Sequence, residues 1–523
     1  MIDGAMQPFA LTLDKFLEHA AKWRPTAEVV TAREGGGVDR IGYADLKARC
    51  QRVSSALAVL GVGLGDRVAT LAWNTQAHLE AWYGIMGMGA VCHTLNPRLT
   101  AGQIAAMVAR SEAGIVVVSA DLVALARQIA EKVPHPLQLL VIDGPATADA
   151  VALDELIDGA GDGFPWGGFD EAASCGLCFT SGTTGAPKGV TYTHRSSFLH
   201  TLRVLQVDVM AISGADSVLA VVPMFHANAW GLPFAAPAVG AKLVLPGRQA
   251  DGASLARLIR AEAVTVAVGV PTVWLGLLEH LEAEGGEISS LKRIIVGGAP
   301  MPPALMARLE ARLGVIVQTS WGMTELSPSG VVASVGDPIQ SAAQSGRPAV
   351  GVDLMVADAE GRPLPEQRNI EGHLHVRGAA VVERYFGETA PATDAEGWFA
   401  TGDLARIDEA GNLSITGRAK DLIKSGGEWI NPAEIEAVVS ALPQVSLAAV
   451  IGRADEKWGE RPILLVEMRE ALSDAALLAP LKGRVANWWI PDQIVRLESM
   501  PLAATGKIDK LRLRAQYSTD GPA

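Results

Sequence analysis

The stretch FTSGTTGAPKGVTYTHRSS, from Phe179 to Ser197, gathers the residues of this chain best suited to hold an anion. Thr180, Ser181, Gly182, Thr183 and Thr184 offer no large apolar side chain, and Lys188 follows shortly after. Glycine lets a backbone approach a ligand closely, successive N–H groups form a concave anion site, and hydroxyls add donors. Lys188 adds a positive charge, so the stretch reads as a phosphate cradle. A flexible linker has a similar composition, but here an apolar run precedes the loop and a Lys-Gly-Val turn follows it. A Walker A loop ends in Gly-Lys-Ser/Thr, whereas Pro187 precedes Lys188 and Gly189 follows it. The segment GVGLGD, Gly61 to Asp66, lacks the spacing of a dinucleotide fingerprint and reads as a helix-ending turn.

Other chemistry-bearing residues are ambiguous in isolation. Cys175 and Cys178 form a C-x-x-C inside the apolar pattern SCGLCFT, without a second ligand pair, and read as small buried hydrophobes. His226 and Trp230, in MFHANAWG, sit on an apolar segment where core packing is the ordinary role. Thr324-Glu325 could begin a helix, and Asp403 after Thr-Gly could be a turn residue. His373 and His375 share one face of a strand and read as surface residues, as Lys510 reads as a solvated tail lysine.

The elements that must position these residues alternate. LTLDKFLEHAAKW, AGQIAAMVARSEA, SLARLIRAEA and PPALMARLEARLG are helical in period, while RVATLAW, GIVVVSA, LQLLVID, KLVLPG, VTVAVGV and RIIVGGA are apolar strands. That alternation implies largely parallel sheets covered by helices. After about Pro338 the pattern becomes short strands with Gly and Asp turns, and from about Lys420 a smaller α/β unit begins. The expected fold is α/β: a large domain, residues 1–418, of two parallel-rich sheets with helices plus a small β-barrel-like subdomain, and a small mobile α+β domain, residues 419–523.

A chain of 523 residues exceeds one core. Hydrophobic content of 49% with 19% charged residues is globular, and a net charge of −13 argues against a nucleic-acid surface. Four cysteines suggest a reducing, cytoplasmic setting, and the start shows no signal-peptide pattern. Ser217 to Ala241 and Ala263 to Leu278 lack charged residues, but prolines interrupt both, so no membrane span is expected.

The motifs TSGTTGAPKG, PMFHANAWG, VGGAPMP, QTSWGMTELSP, GWFATGDLA, GRAKDLIKSGGEWINPAEIE and PLAATGKIDK occur in an order that covers nearly the whole chain. Together they resemble the adenylate-forming enzymes: acyl-CoA synthetases, luciferases and peptide-synthetase adenylation domains, and most of all bacterial fatty-acyl-CoA and methylthiopropionyl-CoA ligases. The resemblance implies that a carboxylate attacks the α-phosphorus of ATP to form an acyl-adenylate, from which the thiol of coenzyme A displaces AMP.

It also implies roles. Glu325 resembles the Mg²⁺-binding glutamate, with Thr324 on phosphate beside Lys188. Trp321 and Gly322 would face adenine, with close backbone approach at Gly298, Ala299 and Pro300. Asp403 would accept from the ribose hydroxyls, and Arg418 would sit at the ribose and phosphate end. Lys507 resembles the lysine that reaches the carboxylate and α-phosphate, and Lys420 matches the hinge. After rotation, Lys424, Gly426, Gly427, Glu428 and Trp429 would face the pantetheine thiol. His226 would lie by the acyl carboxylate, with Trp230 as acyl-tunnel gate and Val270 and Gly297 lining the acid site. The pocket segments show no base for a second carboxylate and no acid for an α-amino group, which favours a medium- or long-chain fatty acid; 3-methylthiopropionate and aromatic acids stay open. A homodimer is compatible with the sequence.

Overall fold

The computed structural model describes residues 3–161, 163–180, 187–337, 341–503 and 506–518. Ser181, Gly182, Thr183 and Thr184 of the cradle lie outside the described residues. Two sheets form the bulk of the chain. The seven-stranded sheet runs Ala150–Ala152, Gln138–Ile142, Ile115–Ser119, Arg67–Leu71, Val91–Thr94, Ser174–Phe179, Gly189–Thr193. Its pairings are parallel except the last, an antiparallel pair that flanks the phosphate loop. The nine-stranded sheet has a parallel centre from Ile316–Gly322 through Arg293–Val296, Val266–Gly269, Ser217–Ala220 and Lys242–Leu245 to Glu28–Ala32, with antiparallel strands at both edges.

Strands such as Ile115–Ser119 and Arg293–Val296 are buried along their whole length. Helices cover both faces of such sheets, and so the strands read as unbroken apolar runs. The helices instead show one apolar stripe. In Gly252–Ala261 the buried residues are Leu255, Ala256, Leu258 and Ile259, and the Asp251 side chain caps the first turn by accepting the Ser254 N–H at 2.9 Å.

One side chain fastens the two sheets together. Asn74 follows the strand Arg67–Leu71 and is only 2% exposed. Its Nδ2 donates to the carbonyls of Ala220 at 3.0 Å and Val222 at 2.8 Å, and its Oδ1 accepts the Met224 N–H at 2.7 Å. It thereby sets the segment that leads to His226.

The small antiparallel unit is a four-stranded sheet, Val352–Ala357, Glu371–Gly378, Phe399–Ile407, Leu413–Arg418, in chain order. Its register places Asp403 opposite Arg418. The surface reading of His375 is corrected here. Its residue is 8% exposed, and the turn at Gly361 closes over the ring, 3.5 Å from where a Cβ would stand. Burial lowers its pKa, against the pull of Asp394, and its Nδ1 has no hydrogen-bond partner among the described residues.

In the last sheet, Gly459–Met468 pairs antiparallel with Val445–Asp455 and Ile423–Ser425 and parallel with Gln493–Leu497. The helix Pro432–Ser440 packs Ile435 and Val439 on one face, and Lys510–Tyr517 packs Leu513 on the other. Lys510 is not a solvated tail lysine: its Nζ pairs with Glu436 at 2.7 Å, because Glu436 also reaches the Val450 N–H at the sheet edge. Among the described residues no helix is long and apolar enough to cross a membrane.

Asn74→Leu leaves two buried carbonyls and one N–H unpaired, at about 1–3 kcal/mol for each such group. The variant is expected to melt below the wild type in calorimetry. A melting temperature equal to the wild type's would remove Asn74 as the fastening.

Candidate active site

Lys507 sits in a tight turn in which its own carbonyl accepts the Ala503 N–H at 2.7 Å. Gly506 before it adopts φ +80° and comes within van der Waals reach of Val270 and Thr272, whose Oγ1 donates to the Gly506 carbonyl at 3.5 Å. The turn therefore lands on the first residues of the helix Pro271–Glu284. Lys507 Cε comes 3.7 Å from where a Cβ on Gly298 would stand, so the lysine stem passes beside that glycine at ordinary contact distance. Lys507 keeps some solvent access but is enclosed by protein on most sides. Lost hydration lowers its pKa to about 8, helped by the charges of Arg418 and Lys420 and opposed by Asp403.

Asp403 is 1% exposed. Arg418 Nε lies 2.6 Å from its Oδ1 as an ion pair, without an aligned hydrogen bond to that oxygen, and the Trp321 indole N–H donates to Oδ2 at 2.8 Å. Burial pushes the Asp403 carboxyl above the usual range, against Arg418, Trp321, Lys507 and Lys420.

Thr324 and Glu325 form a short turn held from several sides. Tyr192 Oη donates to the Thr324 carbonyl at 2.8 Å, the Val382 N–H to the Glu325 carbonyl at 2.7 Å, and Ser327 Oγ to Ala380 at 2.9 Å. Gly322 is required, since a Cβ there would meet the Pro328 carbonyl oxygen at 2.2 Å. Tyr385 Oη donates to Glu325 Oε1 at 3.0 Å, and Lys188 Nζ stands 4.7 Å from the Tyr385 ring centre. The Thr180 N–H donates to the Lys188 carbonyl at 2.9 Å and so pinches the two ends of the phosphate loop together.

Burial raises the Glu325 pKa, opposed by its own N–H, Tyr385, Arg418 and Lys188. Among the described residues no three His, Cys, Asp or Glu side chains form a metal cluster. A single buried carboxylate nevertheless fits Mg²⁺, which takes its other oxygens from phosphates and water.

Around His226, Ala227, Asn228, Ala229, Trp230 and Gly231 all have left-handed φ, from 44° to 80°. Four of them are not glycine, so the turn is strained. Trp230 is 8% exposed and packs flush on Gly297, where a Cβ would lie 3.0 Å from the indole and 2.3 Å from Ser320 Oγ. The same indole and Val270 border Gly298. Beyond it Ala299 is half-buried and Pro300 exposed. Burial, with the charge of Lys507, holds the His226 pKa down to about 4, so the ring is neutral.

The structure thus brings Lys507, Asp403, Arg418 and Trp321 into one cluster, and His226, Trp230, Val270, Gly297 and Gly298 beside Lys507. Lys424, Gly426, Gly427, Glu428 and Trp429 form instead an exposed hairpin, Ile423–Ser425 to Glu428–Ile430, with Gly426 and Gly427 at positive φ. Lys420 is exposed in the short turn Ala419–Asp421. Sequence reasoning missed Tyr385, which lies in no recognised motif and 60 residues from Glu325. It also missed Asn74 and Thr272, which carried no signal beyond their residue types.

The family model described as AMP-binding enzyme matches residues 17–386, and its companion, AMP-binding enzyme C-terminal domain, matches residues 434–507. The medium-chain-fatty-acid–CoA ligase of Ectopseudomonas oleovorans is 40% identical over 98% of this chain and 97% of its own. The 3-methylmercaptopropionyl-CoA ligase of Ruegeria pomeroyi is also 40% identical, over 98% of each chain. Among solved structures, ATP-bound MatB from Rhodopseudomonas palustris superposes with TM-score 0.85 at 26% identity, covering 97% of this chain and 99% of that one. The chain belongs to the AMP-binding enzyme family.

Lys507→Ala is expected to slow adenylate formation by about 10²–10³-fold, the scale for one lost transition-state charge partner. Thioester formation from supplied acyl-adenylate should survive; an equal loss in both steps would contradict the assignment. The ammonium is charged below its pKa of about 8. Adenylation kcat/KM of the wild type should therefore fall as pH rises through that value, and Lys507→Ala should lack that limb.

Proposed function

We propose that this chain, an ATP-dependent, AMP-forming acyl-CoA ligase, activates an apolar carboxylic acid, with a medium- or long-chain fatty acid as the favoured substrate. ATP, Mg²⁺ and coenzyme A are its cofactors. The observation that carries the substrate reading is the composition of the acyl wall. Trp230, Val270, Gly297 and Gly298 are apolar, and the titratable His226 beside them is held neutral.

In this reading Lys507 and Lys188 neutralise the repulsion between the acid and the triphosphate as a carboxylate oxygen attacks the α-phosphorus and pyrophosphate leaves. Thr180, Ser181, Gly182, Thr183 and Thr184 cradle phosphate with Thr324. Glu325 would hold Mg²⁺, which supplies charge to the phosphate oxygens. Asp403 and Arg418 hold the ribose end, with Trp321 and Gly322 toward adenine. His226 orients the acid, and Trp230 closes the tunnel and keeps water from the adenylate.

The arrangement of Lys507 suits adenylation. Residues 419–523 then rotate as a unit about Lys420, and the glycine hairpin with Lys424, Glu428 and Trp429 comes to the site. The thiol sulfur attacks the acyl carbon, and the carbon–oxygen bond to AMP breaks. An exposed lysine in a short turn can absorb such a φ/ψ change. Lys420→Pro, with φ held near about −65°, should leave pyrophosphate release measurable while slowing thioester formation. Unchanged full turnover in stopped flow would move the hinge elsewhere.

A shorter acid such as 3-methylthiopropionate is the second reading, favoured by the Ruegeria relative at equal identity. Pyrophosphate release across propionate to palmitate separates the two. In an alkyl tunnel each added CH₂ improves kcat/KM by up to ~0.8 kcal/mol until the pocket fills. A rise that breaks in the medium-chain range supports the first reading, a peak at the shortest acids the second, and a flat series neither. Trp230→Ala should bind acids without ATP and leak more adenylate to hydrolysis.

A further inference from the structure

The helix His194–Val204 directly follows the strand that leaves the phosphate loop. Its buried His200, 1% exposed, touches two catalytic segments at once. Nε2 accepts the Ser329 N–H at 3.1 Å, at the end of the turn that carries Glu325. An acceptor at Nε2 puts the proton on Nδ1. That edge faces Gly231, where a Cβ would stand 3.0 Å from Nδ1 and 2.9 Å from Cε1. Gly231 ends the left-handed turn that begins at Ala227 and carries Trp230. One helical turn further on, the Arg203 guanidinium donates to the Ser329 carbonyl. The side chain thus stands between a strained turn and the segment of the metal carboxylate, and its only described polar bond is to the latter.

We propose that His200 is a positioning residue for adenylation, which sets the Trp230-bearing turn against the Thr324–Ser329 segment so that acyl gate and nucleotide site are held in one register. This rests on the reading of Trp230 as gate and Glu325 as the nucleotide-side carboxylate. Its consequence is specific to the acid and the adenylate. A turn of five left-handed residues relaxes unless its surroundings hold it. With the imidazole gone, the indole loses its backing at Gly231.

His200→Phe keeps ring volume but removes the acceptor, and His200→Gln restores an acceptor near the Nε2 position. Three quantities are measured: the KM for acid and for ATP in ATP–pyrophosphate exchange, acyl-adenylate hydrolysed per pyrophosphate without CoA, and thioester formation from supplied adenylate. His200→Phe is expected to raise the acid KM and the leak roughly tenfold, the scale of a small misplacement at a reacting centre, with the thioester step unchanged. His200→Gln is expected to lie within about threefold of the wild type. In a Trp230→Ala background His200→Phe should add less than about twofold to the leak, because its effect runs through the indole.

Three results would overturn the proposal: a wild-type leak and KM in His200→Phe, an equal fall in both half-reactions, or full additivity with Trp230→Ala. The wild-type acid series decides the substrate reading separately. Should no fatty acid support exchange, the same quantities are read with 3-methylthiopropionate, and an unchanged acid KM and leak in His200→Phe then count against the proposal.

Discussion

A lysine ammonium enclosed by protein beside a buried aspartate is the constraint around which this structure is organised. Lys507 is far from Asp403 in sequence and lies in a turn outside its sheet, yet each shifts the other's titration. A lone enclosed charge is costly. Here Asp403 opposes the loss of Lys507 charge, and Arg418 in register across the strand pair favours the Asp403 carboxylate against the effect of burial. Arg418, Lys420 and Lys507 all act on Asp403. Under the proposed function a nucleotide phosphate and a carboxylate would bring negative charge to these cations, which is the hard part of making an acyl-adenylate.

The rest of the fold delivers partners to that cluster from separate layers. Asn74 ties the seven-stranded sheet to the chain leading to His226, so the acyl side is located by the contact between sheets. The hairpin and helix after the phosphate loop hold the Glu325 segment through Tyr192, His200 and Arg203. The small C-terminal unit rests on the larger one through the Lys507 turn, on Val270 and Thr272, and through Asn431, whose Nδ2 donates to the Thr416 carbonyl at 2.7 Å. An ion pair at 3.7 Å between Arg469 and Glu279 adds to this footing, and the rotation proposed above would release both the turn and that pair.

Much of this was legible in the residues. Apolar strand runs and striped helices give the α/β layers, because parallel strands are covered on both faces and helices on one. The glycine-rich loop, Glu325, Asp403 and Lys507 stood out as a set whose order matched a known family, although singly each had a plain structural role. What stayed hidden depends on tertiary contact. Tyr385 reaches Glu325 only because its loop returns over the site. His375 and Lys510 look exposed in the sequence, since neither the covering turn at Gly361 nor the partner Glu436 can be inferred from local sequence. The left-handed run from Ala227 to Gly231 was equally silent: Asn228 and Gly231 tolerate that conformation, but Ala229 and Trp230 do not announce it.

The central claim is that the Lys507 turn, seated on Thr272, serves adenylation and must lift away for thioester formation. A disulfide tests it directly. A Cβ on Gly506 would stand 3.4 Å from Thr272 Oγ1, the atom a cysteine sulfur replaces, all four native cysteines are buried, and the reduced double variant is the reference because Gly506 has a left-handed φ. The double variant Thr272→Cys with Gly506→Cys is oxidised, and both half-reactions are measured before and after reduction. The account predicts that the locked enzyme releases pyrophosphate and accumulates acyl-adenylate but makes no acyl-CoA until the bond is reduced. Acyl-CoA formation by the locked enzyme at the reduced enzyme's rate would contradict it.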